Sequence, residues 1–180
     1  MPVAGHSLGG YVALAAASGN SRIRGVLALD VKSDWTEEDA ALAARARGSS
    51  QRVSPDRRDL LDRLARSIAP VEVTDAELEL LAERSIEPAD GGWRFRWDRA
   101  VLDSEAVDPF PFLGDVPCPT HVMAGSLSDV MPPESARRFA EAIPGATLEL
   151  VEGAGHHLEL ERPELVAERI RELAYSRDAR

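Results

Sequence analysis

The sequence predicts an α/β fold: a mostly parallel sheet interrupted by a helical insertion. Three observations predict it. Apolar runs of strand length alternate with helix-length amphipathic stretches outside the middle of the chain, the pattern of parallel strands joined by crossover helices. The chain opens on a strand end, a glycine-rich turn and an alanine-rich helix, all within residues 1–18. Between Asp34 and Glu87, three helical starts follow one another with no strand pattern between them. The division expected from this is a core made of residues 1–33 and 98–180, with 34–97 as a helical insertion.

The elements follow in order. Pro2-Val3-Ala4 reads as the end of a strand, Gly5 to Gly10 as a sharp turn, and Tyr11 to Ser18 as a helix. Arg24 to Asp30 is a short apolar run ending in an acid, as a buried parallel strand would be. Thr36 precedes Glu37, Glu38 and Asp39, which suits a positive helix N-terminus. Ser54-Pro55 supplies an N-cap and a first-turn proline for a helix carrying Leu60, Leu61, Leu64 and Ile68. Thr74 with Glu77 matches a capping box ahead of Leu78, Leu81 and Ala82, and Pro88 ends that stretch. After Gly91-Gly92, Trp93, Phe95 and Trp97 alternate with arginines, so a short extended segment with one aromatic face is expected. Its simpler role is to pack the insertion onto the core, and its sharper one is to wall a substrate pocket. Beyond the proline-rich connection 108–119, Thr120 to Ala124 and Thr147 to Val151 read as strands and Pro133 to Ile143 as a helix. Pro163 to Ala174 closes the chain as a helix with Leu165, Val166, Ile170 and Leu173 inward.

Composition bounds the function classes. A chain of 180 residues, 44% apolar, holds one compact core. The net charge of -10 repels nucleic-acid phosphates and anionic headgroups, so neither nucleic acid nor membrane is expected as a partner. No apolar run approaches the roughly 18 to 20 residues that span a bilayer, and no basic-then-apolar leader opens the sequence, so a cytoplasmic location is the expectation. Cys118 is the sole cysteine, which rules out an internal disulfide and a cysteine-based metal cluster.

The chemistry concentrates at three turns. Gly5-His6-Ser7-Leu8-Gly9 is a G-x-S-x-G pattern between a strand and a helix, the context in which a strained turn presents a serine hydroxyl. A serine is a poor nucleophile until an imidazole accepts its proton, and that imidazole needs a carboxylate on its other nitrogen. Asp129 lies in the loop after the strand 120–124, and His156, in Gly153-Ala154-Gly155-His156, lies in the loop after the strand 147–151. Sheet-end loops are where α/β sites sit. Asp129 has an alternative role as a helix N-cap, and Asp30, at the end of the preceding strand, is the runner-up acid. Of the adjacent pair, His156 is the expected base and His157 a loop or pocket residue. His6 is expected to be structural, and His121 to lie within a strand. No metal site is implied, since the remaining histidines and acids lack a ligand spacing such as H-E-x-x-H.

Through GHSLGG, AGSLSDVMPPE and VEGAGHHLELERPE the chain resembles the α/β-hydrolase superfamily over essentially its whole length. The resemblance implies that Ser7 is the nucleophile, Asp129 the acid, His156 the base and the Leu8 amide one oxyanion-hole donor, with no cofactor. It also implies that the helical segment is the cap many members insert after the strand following the nucleophile. Serine at position 7 argues against epoxide-hydrolase and haloalkane-dehalogenase chemistry. Members carry several strands ahead of the elbow, about 80 to 100 residues at roughly 20 per strand and connection. Here the elbow starts at Gly5. The expectation is therefore a partial fold, lacking the N-terminal strands and one oxyanion donor, whose open sheet edge invites homo-oligomerisation or aggregation. The expected activity is hydrolysis of a carboxylic ester, thioester or lactone of a small molecule. The alternatives are a noncatalytic fragment or interaction module, and the C-C hydrolase or cofactor-free haloperoxidase chemistry that the same triad serves.

Overall fold

A computed structural model of the chain describes residues 1–47, 52–68, 70–98 and 110–175. Part of the connection 108–119 lies outside the described residues. The chain divides into two compact units, one of Met1–Trp35 with Asp108–Arg180 and one of Thr36–Val107.

The first unit is a parallel sheet of four strands: β1 (Pro2–His6), β2 (Gly25–Leu29), β5 (Thr120–Gly125) and β6 (Thr147–Val151), side by side in the order β1-β2-β5-β6. Its helices are α1 (Leu8–Ser18), α5 (Phe110–Leu113), α6 (Pro133–Glu141), α7 (Leu158–Glu161) and α8 (Pro163–Tyr175). Every residue of β2 is buried, which is why its sequence, GVLAL, has no polar position. The strand period of two sorts its side chains onto two faces. Val26 and Ala28, with Val122 and Ala124 of β5, join a core containing Leu14, Ala17, Met131 and Phe139 of the α1 and α6 side. Leu27, Leu29 and Met123 join Leu158 and Val166 on the opposite face. A sheet covered on both faces is thereby closed from above and below. In α8, Leu165 and Leu173 flank Val166, but Ile170 stands 40% exposed instead of turning inward. Leu173 lies where a side chain on Gly25 would project, its Cδ1 2.8 Å from the ideal Cβ position. The glycine thus admits the helix at Leu173, and Ile170 is left beside that contact line.

The second unit holds α2 (Glu37–Arg47), α3 (Arg57–Ile68), α4 (Asp75–Ser85) and an antiparallel hairpin of β3 (Ile86–Ala89) and β4 (Gly92–Phe95). The capping box on α4 is present, with Glu77 N–H on Thr74 Oγ1 and Thr74 N–H on the Glu77 carboxylate. Two sequence expectations are corrected. Ser54 does not cap α3, which starts three residues later. The cap is Asp56, whose Oδ1 accepts the Arg58 amide at 2.9 Å, while the Ser54 backbone bridges to Trp93 with reciprocal N–H···O bonds of 2.8 Å and its hydroxyl donates to Asp59 and accepts the Asp56 amide. The extended aromatic segment is the second arm of a hairpin, and the residues before Gly91-Gly92 form the first. Trp93 and Phe95 pack within this unit, against Leu60, Leu61, Ala82 and Ile86.

Candidate active site

Ser7 follows β1 and precedes α1. Its backbone has φ 51° and ψ −122°, a conformation an L-residue holds only when its surroundings over-determine it. They do. Ser7 N–H donates to Leu29 O at 2.8 Å, and Ser7 O accepts from the amides of Gly10 and Tyr11. A Cβ on Gly5 would sit 2.2 Å from Gly9 O, and one on Gly10 would sit 2.5 Å from Val31 Cγ2 and 2.9 Å from Gly5 O. The tight approach of strand to helix therefore requires Gly5 and Gly10. Gly9, the last letter of the G-x-S-x-G pattern, has open space around its Cβ position. The Ser7 hydroxyl does not cap the helix it precedes. The first-turn amides of Leu8 and Gly9 make no backbone hydrogen bond to another described residue, as expected at a helix N-terminus.

The carboxylate that meets the imidazole is Asp30. His156 Nδ1 donates to Asp30 Oδ1 at 2.7 Å, and Asp30 is fully buried. Ser128 Oγ donates to the same oxygen at 2.6 Å, and Gly125 N–H to Oδ2 at 2.9 Å. Three donors of this kind meet the acceptor capacity of a buried carboxylate and fix it in one orientation. Asp30 has φ 47°, in the left-handed region that aspartate tolerates better than most residues, and its amide bonds Met123 O.

Asp129 is exposed and makes no hydrogen bond or ion pair to another described residue. The expectation that it faces His156 is corrected by the turn it sits in. Ser128 Oγ accepts the amides of Val130 and Met131 while donating to Asp30, so this loop offers the site a hydroxyl and the Gly125 amide instead of a carboxylate.

The His156 loop is fixed from several sides. Gly155 N–H donates to both oxygens of Glu161 at 2.9 Å, and the His156 carbonyl accepts from His6 Nε2 at 3.0 Å. Gly125 lies so close beneath it that a Cβ there would meet Gly155 O at 2.1 Å and Ala154 O at 2.3 Å. Between Ser7 Oγ and His156 no hydrogen bond is formed, although both follow the carboxyl ends of strands of the same sheet. Such contacts often tighten only around bound substrate.

His6, His157 and Glu159 lie together beside His156. His6 Nδ1 lies 3.4 Å and His157 Nδ1 3.3 Å from Glu159 Oε1. The rings of His6 and His156 are 4.4 Å apart. Burial pushes the His6 imidazole below its ordinary value, against the pull of Glu159. Burial works to raise the Glu159 carboxyl, but hydrogen bonds from His157 and from its own amide, with the charges of His6 and His157, hold it below the usual range. The His6–Glu159 contact spans residues far apart in sequence, so only the fold could reveal it.

A groove of about 560 Å³ in the second unit is lined by Arg63, Arg84, Arg96, Phe95 and Trp97, among others, and contains none of the residues above. Phe95 and Trp97 thus wall a cleft, whereas Trp93 does not line it. Among the described residues no helix is long and apolar enough to cross a membrane.

No curated protein matches the chain in sequence. Solved structures match it in fold. A thioesterase domain from the curacin biosynthetic pathway superposes with a TM-score of 0.74 at 22% identity, covering 95% of this chain and 64% of that one. E-2-(acetamidomethylene)succinate hydrolase gives 0.75 at 24% identity, covering 96% and 66%. The enol-lactonase of Burkholderia xenovorans LB400 gives 0.66 at 20% identity, covering 95% and 64%. The chain therefore spans just under two thirds of the length of these structures. A model of the alpha/beta hydrolase family matches residues 2–169. Together with the parallel sheet and the strained serine turn between β1 and α1, that match over nearly the whole chain places it in the alpha/beta hydrolase family.

Proposed function

We propose that the chain carries the catalytic triad of a serine hydrolase, with Ser7 as nucleophile, His156 as base and Asp30 as the acid that orients it. The observation that carries this reading is the 2.7 Å bond between His156 Nδ1 and the buried Asp30 carboxylate, at the sheet end that also holds the strained Ser7. With Nδ1–H committed to Asp30, the neutral imidazole has its electron pair on Nε2, the tautomer a base needs. Ser7 Oγ attacks the substrate carbonyl as its proton passes to Nε2. The oxyanion forms beside the first turn of α1, where the Leu8 amide is the proposed donor. Collapse expels the alcohol or thiol, which takes the proton from Nε2. Water, deprotonated by Nε2, then attacks the acyl-enzyme and frees the acid as Ser7 Oγ takes the proton back, while Asp30 holds Nδ1–H.

The substrate class proposed is a carboxylic ester, thioester or lactone of a small molecule, with no cofactor required. The thioesterase and enol-lactonase among the structural neighbours support trying thioesters and lactones first. Fluorophosphonate labelling followed by intact mass is the test. Covalent addition to the folded chain that is absent from Ser7→Ala is expected. A folded chain that stays unlabelled, or a Ser7→Ala protein that labels equally, overturns the reading in favour of a noncatalytic module.

A further inference from the structure

We propose that His6, His157 and Glu159 form a binding site for a divalent transition-metal cation, with Zn²⁺ the best match, set against the base of the proposed triad. One ligand atom from each residue lies within 4.8 Å of the other two. Two of the three separations match those of a tetrahedral centre, with a cation replacing the proton that His157 now donates to Glu159. A tetrahedral centre with arms of about 2.0 to 2.1 Å places its ligand atoms roughly 3.3 to 3.4 Å apart. His6 Nδ1 and His157 Nδ1 lie 3.4 and 3.3 Å from Glu159 Oε1.

The hydrogen bonding points the same way. The His156 carbonyl can only accept, so the His6 Nε2 that lies 3.0 Å from it carries the proton. The Nδ1 of that neutral ring then presents an electron pair toward a carboxylate oxygen. Two electron-pair donors facing each other leave room for a cation, and a backbone carbonyl on the far nitrogen is how metal-bound imidazoles are commonly oriented. Glu159 Oε2 is buried and has no hydrogen-bond partner, so the carboxylate is not otherwise saturated. Two imidazoles and one carboxylate suit Zn²⁺ and its neighbours in the transition series. Ca²⁺ and Mg²⁺ prefer all-oxygen shells. The local sequence implied no metal site because His6 belongs to β1, whereas His157 and Glu159 stand at the start of α7.

Loading has a geometric consequence for the base. A bound cation fixes all three sides of the triangle at one length and so holds His157 against His6, and His157 adjoins His156. This consequence rests on the function proposed above, whereas binding itself does not. Equilibrium dialysis of the full chain against Zn²⁺ and the visible absorption of Co²⁺ are therefore run on the Ser7→Ala protein. One equivalent per chain with tetrahedral Co²⁺ bands is expected. Glu159→Gln and His157→Asn should each weaken binding at least tenfold, and His121→Asn, which alters the separate His121–Glu149 pair, should not. Circular dichroism verifies that each variant is folded. If Glu159→Gln is not, His157→Asn carries the comparison. Absence of saturable binding, binding indifferent to the ligand variants, or binding lost through His121→Asn overturns the site. In the Ser7 protein, Zn²⁺ should slow fluorophosphonate labelling. If labelling fails without metal, the triad reading fails while the dialysis result stands.

Discussion

Replacing Asp30 by Asn separates the two carboxylates that follow adjacent strands. The Asp30 oxygens receive three donors: His156 Nδ1 at 2.7 Å, Ser128 Oγ at 2.6 Å and Gly125 N–H at 2.9 Å. Asparagine presents one acceptor oxygen and one donor NH₂, so it cannot serve all three. If the NH₂ takes the Oδ2 position, it confronts the Gly125 amide, donor against donor. If it takes the Oδ1 position, it donates to His156 Nδ1 and moves the imidazole proton to Nε2. The second arrangement leaves the backbone amide satisfied and so prevails, and it removes the electron pair that Ser7 needs. Wrong-tautomer imidazoles of this kind cost about 10³- to 10⁴-fold in turnover, or about 4 to 5.5 kcal/mol of transition-state stabilisation. Asp129→Asn, at an exposed carboxylate with no described partner, should leave the rate within about twofold. The assay is the second-order rate of fluorophosphonate labelling, with hydrolysis of an activated ester as the turnover readout, on variants whose melting curves verify folding. An Asp30→Asn protein that labels at the unmodified rate, or an Asp129→Asn protein that loses it, refutes the assignment.

Further expectations concern the frame that holds the site. Gly5→Ala should disrupt folding or the serine turn, since its Cβ would lie 2.2 Å from backbone oxygen. Gly9→Ala, in open space on α1, should instead raise stability by about 0.5 to 1 kcal/mol, read as a higher Tm. Phe139→Ala, at a fully buried side chain, should cost about 3 to 5 kcal/mol in chemical denaturation. Glu149 is held below the usual carboxylate range by its hydrogen bonds from Arg169, aided by His121. Its folded pKa is depressed, so its contribution is complete above the unfolded value near 4.5 and fades as pH falls through the folded value. Glu149→Gln should thus cost about 1 kcal/mol or less at pH 7, with the difference from the unmodified chain vanishing on acidification below 4.5 in pH-dependent denaturation.

What the sequence determined by itself is what neighbours along the chain can enforce. The glycines around Ser7 and the apolar run 25–29 dictate a strand, a turn and a helix through local sterics and burial, and Thr74 with Glu77 dictates a helix start through two reciprocal hydrogen bonds. The serine turn and the Gly-Ala-Gly-His loop were legible on the same grounds. Tertiary structure decided the rest. Asp30 and Asp129 both follow strand ends, and nothing within five residues of either says which one turns toward an imidazole. Asp30 reaches His156 across 126 positions because β2 and β5 lie side by side and the 125–131 turn spends Ser128 on the carboxylate and on its own amides. Ser54 is held in a backbone bridge by Trp93, 39 positions away, which no local pattern records, while the helix start passes to Asp56 two residues on, whose Oδ1 accepts the Arg58 amide. His6 and Glu159 meet only because β1 ends beside the loop that starts α7. Propensity and spacing act through the few residues on either side, whereas the partner of a buried charge is chosen by whichever elements the sheet brings together, since a carboxylate out of water must be met by donors wherever in the chain they arise.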